Sequence, residues 1–281
     1  MKSEIKVYQK ENNLHFGKLI RDSLQDIYHS RFLSKQLAIR DIKATYRQSY
    51  FGILWAFMTP LATAFVWIIL NNSGTVRLSA TGIPYPVYAL SGTLVWSILT
   101  EAINAPMLTT TSAKSILSKI NFPKEALIVS GVYKLLFNSL VKIILLVVFV
   151  FVYGVGYHHS LLLFPFILLG AIFFGTTVGL FITPLGMLYK DVSRFITIGL
   201  QFLMYATPVV YAIPSSGILK TVMLLNPLTP IILTGRDFLT GMEATYVLYF
   251  MGVMVVSIPL FFLALVVYRI SMPILVERMS G

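Results

Sequence analysis

Apolar runs of about 20 residues recur along most of this chain, and that recurrence limits what it can fold into. A run of that length crosses the hydrocarbon core of a bilayer as a helix, because backbone in lipid must satisfy its own hydrogen bonds. Six candidate spans follow: about 52–70, 87–108, 126–152, 161–188, 195–213 and 246–269. The second is interrupted by polar residues and by Glu101. The alternating pattern of a membrane β-barrel is absent. Of the 281 residues, 57% are hydrophobic and 12% charged. The mean hydropathy is +0.80, well above that of a soluble domain. The expected fold is therefore an all-α integral membrane protein with six transmembrane helices. One membrane domain, 31–281, should follow a polar arm, 1–30, which matches no motif we can name. The first apolar run begins near Gly52, so the N-terminus is not expected to be a cleavable signal. The chain has no cysteine, which excludes disulfides, cysteine metal sites and thiol catalysis.

Lysine and arginine set the expected orientation. Ten lie before Gly52, from Lys2 to Arg47. If that arm is cytosolic, Lys114, Lys119, Lys124, Lys190, Arg194, Arg269 and Arg278 are cytosolic too, against only Arg77, Lys220 and Arg236 outside. Both termini should then face the cytosol. The net charge of +11 follows from membrane topology and anionic lipid, with no nucleic acid partner implied.

The segment "ILKTVMLLNPLTPIIL" (218–233) is apolar but short, and Asn226-Pro227 and Pro230 interrupt it. A full crossing here would put Arg269 and Arg278 outside. A re-entrant helical hairpin before the last span suits the prolines better, with an interfacial loop as the alternative.

In "RDIKATYRQSYFGILWAFMTP" (40–60) a basic helix runs into an apolar one. Ile39, Ile42 and Tyr46 share one helical face, and Arg40, Lys43 and Arg47 form a second stripe roughly 100° round. This reads as an N-terminal amphipathic interfacial helix whose basic side meets lipid phosphates; simple membrane anchoring explains it equally well. Gly52 then lets the chain turn into the bilayer.

That segment resembles the N-terminal signature of permease subunits of type-2 ABC exporters that move polysaccharides. "NFPKEAL" (121–127), "YKDVSRF" (189–195), "TPVVYAIP" (207–214) and "LNPLTPI" (225–231) resemble further pieces of that family, in its order. Together they cover the chain from about Arg31 to its end. Lys190 stands where the family would lead us to expect arginine; it keeps the charge but not the bidentate geometry. The resemblance implies a bacterial cytoplasmic (inner) membrane protein acting as a homodimer with two copies of an ABC ATPase. O-antigen, capsule and teichoic acid exporters share the signature, with O-antigen the preferred substrate.

No G-x-x-x-x-G-K-[ST] motif occurs, so this chain is not expected to hydrolyse ATP and needs no cofactor of its own. ATP and magnesium belong to the implied ATPase. In "SAKSILSKINFPKE" (112–125), Ile116, Leu117 and Ile120 form an apolar face on a short helix. With Ser115 and Phe122, they are the candidate ATPase-coupling residues, against the alternative of an ordinary turn. The resemblance places spans one and five beside the substrate path. Tyr50, Phe51, Trp55 and Phe57 on the first, and Phe202, Tyr205 and Tyr211 on the second, are candidates to stack on sugar rings. Interfacial aromatic belts and packing account for them as well.

Glu101 and Lys134 should lie at similar depth on adjacent antiparallel spans and pair there, since a lone charge in the membrane is costly. Lys142 is left unpaired in this arrangement, to snorkel or line a wet cavity. Gly175 and Gly179 read as a helix-packing pair. A membrane-embedded transferase or hydrolase would want clustered carboxylates or histidines; only eleven acids occur, five of them before Gly52. His158-His159 lacks neighbouring ligands, so no metal site is expected. A simple channel would not need the "NFPKE" turn.

Overall fold

The computed structural model describes residues 15–47, 50–74, 82–117 and 119–280. Among them the regular structure is entirely helical. In chain order the helices are α1 (Phe16–His29), α2 (Arg31–Arg47), α3 (Trp55–Asn72), α4 (Tyr85–Ser112), α5 (Lys114–Leu117), α6 (Glu125–Val152), α7 (Phe164–Leu188), α8 (Lys190–Tyr205), α9 (Ile218–Leu225), α10 (Leu228–Thr240) and α11 (Val247–Ser280). Among the described residues, helices α4, α6, α7 with its preceding 3-10 turn, and α11 are the four long and apolar enough to cross a membrane. The pair α9 and α10 raises the number to five if it counts as one broken span. In place of the expected first span, 3-10 helix Gly52–Leu54 leads into α3, whose apolar part, Met58–Asn72, is shorter. The expected fifth span stops at Tyr205, because Pro208 cannot continue the hydrogen-bonded ladder.

The least apolar of the long helices, α4, is the most enclosed, packing against α3, α6, α7 and α10. Most of its serines and threonines bond back to its own carbonyls, as Thr93 does to Ala89 and Thr110 to Pro106. Polar residues are therefore tolerated inside the bundle. Gly175 and Gly179 on α7 abut α4 so closely that a Cβ at either would overlap Ala102 or the Ile103 carbonyl. Close backbone approach, which small residues permit, is what these glycines supply.

The first helices depart from the sequence expectation. Leu37 of α2 joins a buried cluster with Leu127 and Ile128 of α6, while Tyr46 Oη donates to Asn138 Oδ1 at 2.8 Å. Contacts thus advance in the same direction along both chains, and α2 runs beside the first half of α6. Ile39, Ile42 and Tyr46 are half-buried, and Leu37 and Ala38 supply the buried face.

Helix α1, inside the arm without a recognisable motif, is tied down by charge. Arg269 of α11 donates to Asp26 Oδ2 (2.7 Å) and Glu125 Oε1 (2.5 Å), and Ser23 Oγ donates to the same Glu125 oxygen (3.1 Å). Glu125 is buried. A buried carboxylate needs such partners, since stranding it costs several kcal/mol, about 3–5 for a broken buried pair.

Candidate functional site

A cleft of about 760 Å³ opens between α2, α4, α6 and α8. Helix α4 contributes Thr100, Glu101 and Asn104, and α6 contributes Lys134 and Asn138. Asp41 and Thr45 come from α2, Ser193 and Thr197 from α8. Burial, then the negative charge of Glu101, push the Tyr46 phenol up, so it stays a neutral donor to Asn138.

At the inner wall the ion pair differs from expectation. Glu101 pairs with Lys142, not with Lys134. The Lys142 ammonium is fully buried and also donates to Ser97 Oγ at 2.8 Å; the Glu101 side chain keeps 37% exposure. Lys134 instead donates to Thr45 Oγ1 at 3.2 Å. The register explains the exchange. Lys142 lies seventeen residues into α6 and Glu101 eleven from the end of α4, so α6 begins about 9 Å further out. That extra length runs beside α2, which offers Lys134 a hydroxyl.

The predicted basic stripe is divided. Arg40 Nε and Nη2 donate to Asp41 Oδ1 at 2.9 and 2.7 Å, while Lys43 and Arg47 are exposed without a carboxylate partner among the described residues. Tyr50, Phe51 and Trp55 are exposed and stack edge to face in sequence, with centroids 5.5 and 5.8 Å apart. Phe57 lies on α3, but its side chain is outside the described residues. On α8, Phe202 and Tyr205 are exposed. Tyr211 donates to the Tyr205 carbonyl and its ring lies 6.1 Å from Trp67 of α3. This brings the far end of α3 to the turn after α8.

The coupling candidates also divide. Leu117 is 3% exposed and packs into the buried cluster with Ala113, Leu180 and Tyr268, so it cannot meet a partner. Its inward position follows from α5, a four-residue turn that packs against α4 and α11. Ile116 and Phe122 are half-buried, Ser115 is exposed, and Ile120 is 59% exposed. Lys124 sits 4.7 Å from the Phe122 ring, and burial lowers its pKa against the opposing pull of Glu125.

One site was missed by sequence reading. Arg236, expected outside, is fully buried on α10. Its Nη1 donates to the Pro208 carbonyl (3.2 Å), Nη2 to Val209, and Nε to Ser91 Oγ (3.3 Å). Asn226 Nδ2 donates to the Ala206 carbonyl (3.0 Å) and Thr207 Oγ1 (2.8 Å), while its Oδ1 accepts from Leu228 N. Tyr85 of α4 donates to the Val210 carbonyl at 2.9 Å. The "TPVVYAIP" turn and the "LNPLTPI" break are therefore one construction. Helices α9 and α10 meet there at 81°, because the residue before a proline leaves the helical region, as Asn226 does with ψ 118°.

A bundle of long apolar helices with an internal ion pair, a polar cleft and a broken helix pair defines the class as a multi-pass helical membrane protein. Residues 33–239 match the family described as ABC-2 type transporter, and the chain belongs to that family. It is similar to an O-antigen export system permease protein RfbA of Klebsiella pneumoniae, 27% identical over 240 residues, covering 83% of this chain and 91% of the relative. A second Klebsiella pneumoniae protein of that name is 26% identical over 241 residues, covering 82% and 91%. One from Myxococcus xanthus is 25% identical over 208 residues, covering 73% and 79%. Family membership implies an ABC ATPase partner in general terms.

Proposed function

We propose that this chain is the permease subunit of an ATP-driven exporter that carries a lipid-linked O-antigen polysaccharide across the bacterial inner membrane. The observation that carries the reading is similarity to O-antigen export permeases across 83% of the chain. Two copies pair with two ATPase subunits, which hold the ATP and magnesium. Each copy spans the membrane six times with both ends cytosolic, and α9 and α10 form the re-entrant element. The basic excess before Gly52 and the broken pair at Asn226-Pro227 support that topology.

In this reading Lys43 and Arg47, with Arg40 in support, meet the lipid phosphate. Tyr50, Phe51 and Trp55 then pass the polymer toward Phe202, Tyr205 and Tyr211. The exposed aromatic edges of α3 and α8 support this, as faces left for a second copy and the cargo. Ser115, Ile116, Ile120 and Phe122 meet the ATPase.

The test is deletion of the gene with complementation in its host. Surface polymer should disappear and return, while lipid-linked polymer accumulates inside during its absence. Unchanged surface polymer in the deletion strain would overturn the reading. A cysteine placed at Ser280 should react only with reagent supplied from the cytosolic side; labelling from outside would overturn the topology.

A further inference from the structure

We propose that the cleft between α2, α4, α6 and α8 binds neutral sugar units of the transported polymer, recognised by Glu101, Lys134 and Asn138. This rests on the polysaccharide reading above and adds a polar docking groove distinct from the aromatic edges of α3 and α8.

The charges of the lining argue for a neutral ligand. Two carboxylates, Asp41 and Glu101, line the cleft beside one ammonium, Lys134. The two nearby cations, Arg40 and Lys142, are already held by those carboxylates. A phosphate placed here would find one ammonium outside an ion pair, Lys134, and would compete with both carboxylates for their cations, whereas an uncharged ligand leaves both pairs intact. Acyl chains are disfavoured as well, because hydroxyl and amide groups buried against hydrocarbon without partners each cost about 1–3 kcal/mol.

A sugar ring meets both conditions. It offers hydroxyls that donate and accept, and the cleft has both kinds of partner. Lys134 carries three donors, of which Thr45 takes one. Asn138 accepts from Tyr46 through Oδ1, leaving its amide group to donate. Glu101 keeps part of its carboxylate open to the cleft, beside the buried Lys142 ammonium that it pairs with. Met107 and Leu108 supply apolar wall for the C–H face of a ring. A volume of about 760 Å³ accommodates more than one ring, within the range of about 300–1,000 Å³ common to ligand sites.

The chain has no native cysteine, so one reporter suffices. Asn104→Cys is placed in the complete transporter, and its reaction rate with a maleimide is measured in permeabilised membranes. Membranes from cells making the polymer are compared with membranes from cells blocked in its synthesis. The polymer should slow labelling about threefold, the protection given by ligand at about twice its Kd. Ser216→Cys, in the turn beyond α8, should react equally in both. Adding Asn138→Leu should abolish the protection while the transporter still assembles.

Equal rates for Asn104→Cys in the two membranes would overturn the inference. So would protection by inorganic pyrophosphate in polymer-free membranes, which would make the cleft an anion site. Thr197→Cys, on the opposite wall, serves as the reporter if Asn104→Cys fails to assemble, with the same outcomes deciding. The gene deletion separates the two readings: surface polymer lost on deletion but no protection in the cleft leaves the exporter standing and removes only the groove.

Discussion

The guanidinium of Arg236 lies 3.6 Å from the centroid of the Tyr88 ring, sandwiched between α4 and the turn that follows α8. It is a buried cation whose compensation comes from ring face and carbonyls. Arg236→Lys keeps the charge but loses the planar fork and stacking surface. The variant should cost about 3 kcal/mol, the magnitude of one or two charged hydrogen bonds lost in a buried site. A thermal unfolding series in detergent measures it, and an unchanged midpoint would reject the clamp. Gly92→Ala should cause a related defect, since a Cβ there overlaps the Val209 carbonyl and the Arg236 head.

Glu101 and Lys142 should behave as a coupled pair. Lys142→Met leaves Glu101 without its ammonium; Glu101→Gln leaves a fully buried lysine without its carboxylate. Glu101→Gln should destabilise by about 3–5 kcal/mol because it strands a fully buried ammonium, Lys142→Met by less because Glu101 keeps 37% exposure, and the double variant should cost less than the two added together. Additive effects in the cycle would show that the two do not interact. Lys134→Met should be mild by comparison, because it loses one hydroxyl contact.

Leu117 and Ile120 are three residues apart and should fail differently. Leu117→Asp places a charge in the cluster with Tyr268 and Leu127, so folded protein should be lost. Ile120→Asp changes an exposed side chain and should leave the fold intact while uncoupling ATP hydrolysis from export. Normal export by Ile120→Asp would remove Ile120 from the coupling surface.

Arg269→Ala should release α1. Its partners Asp26 and Glu125 would both lose their cation, and Glu125 is the buried one. Backbone amides of 16–29 should exchange with deuterium faster, while those in the centre of α4 stay as protected as before. No change in α1 would mean that apolar packing alone holds it.

The helices were legible because their period and length are local properties: 85–112, 125–152 and 164–188 fall within a few residues of the spans read from apolarity. The family was legible for a related reason, since its motifs sit at turns, where Pro208, Pro227 and Pro123 punctuate the chain. Partners across helices were not. Glu101 could be recognised as a charge that needs a counter-ion, but choosing Lys142 over Lys134 depends on the axial offset of α6. Nothing in either helix alone fixes that offset. The burial of Arg236 was missed for a similar reason: charge counting treats every arginine between spans as solvated, and the carbonyls that receive it come from a distant turn. Leu117 looked available because the cluster that covers it is assembled from α2, α6, α7 and α11.

The Arg269 junction bears on how this protein can be cut and recombined. Residues before Arg31 carry no motif of their own, which makes them look like a dispensable leader for truncation or for exchange with a relative. Yet Ser23 and Asp26 sit within that stretch, and both bond into the junction between the last helix and the start of α6. A truncation at residue 30 strands Glu125 with one fewer donor and Arg269 with two fewer acceptors. A chimaera must therefore import the hydroxyl and the carboxylate together with the helix that presents them, or inherit a mismatched seam beside the turn that should receive the ATPase.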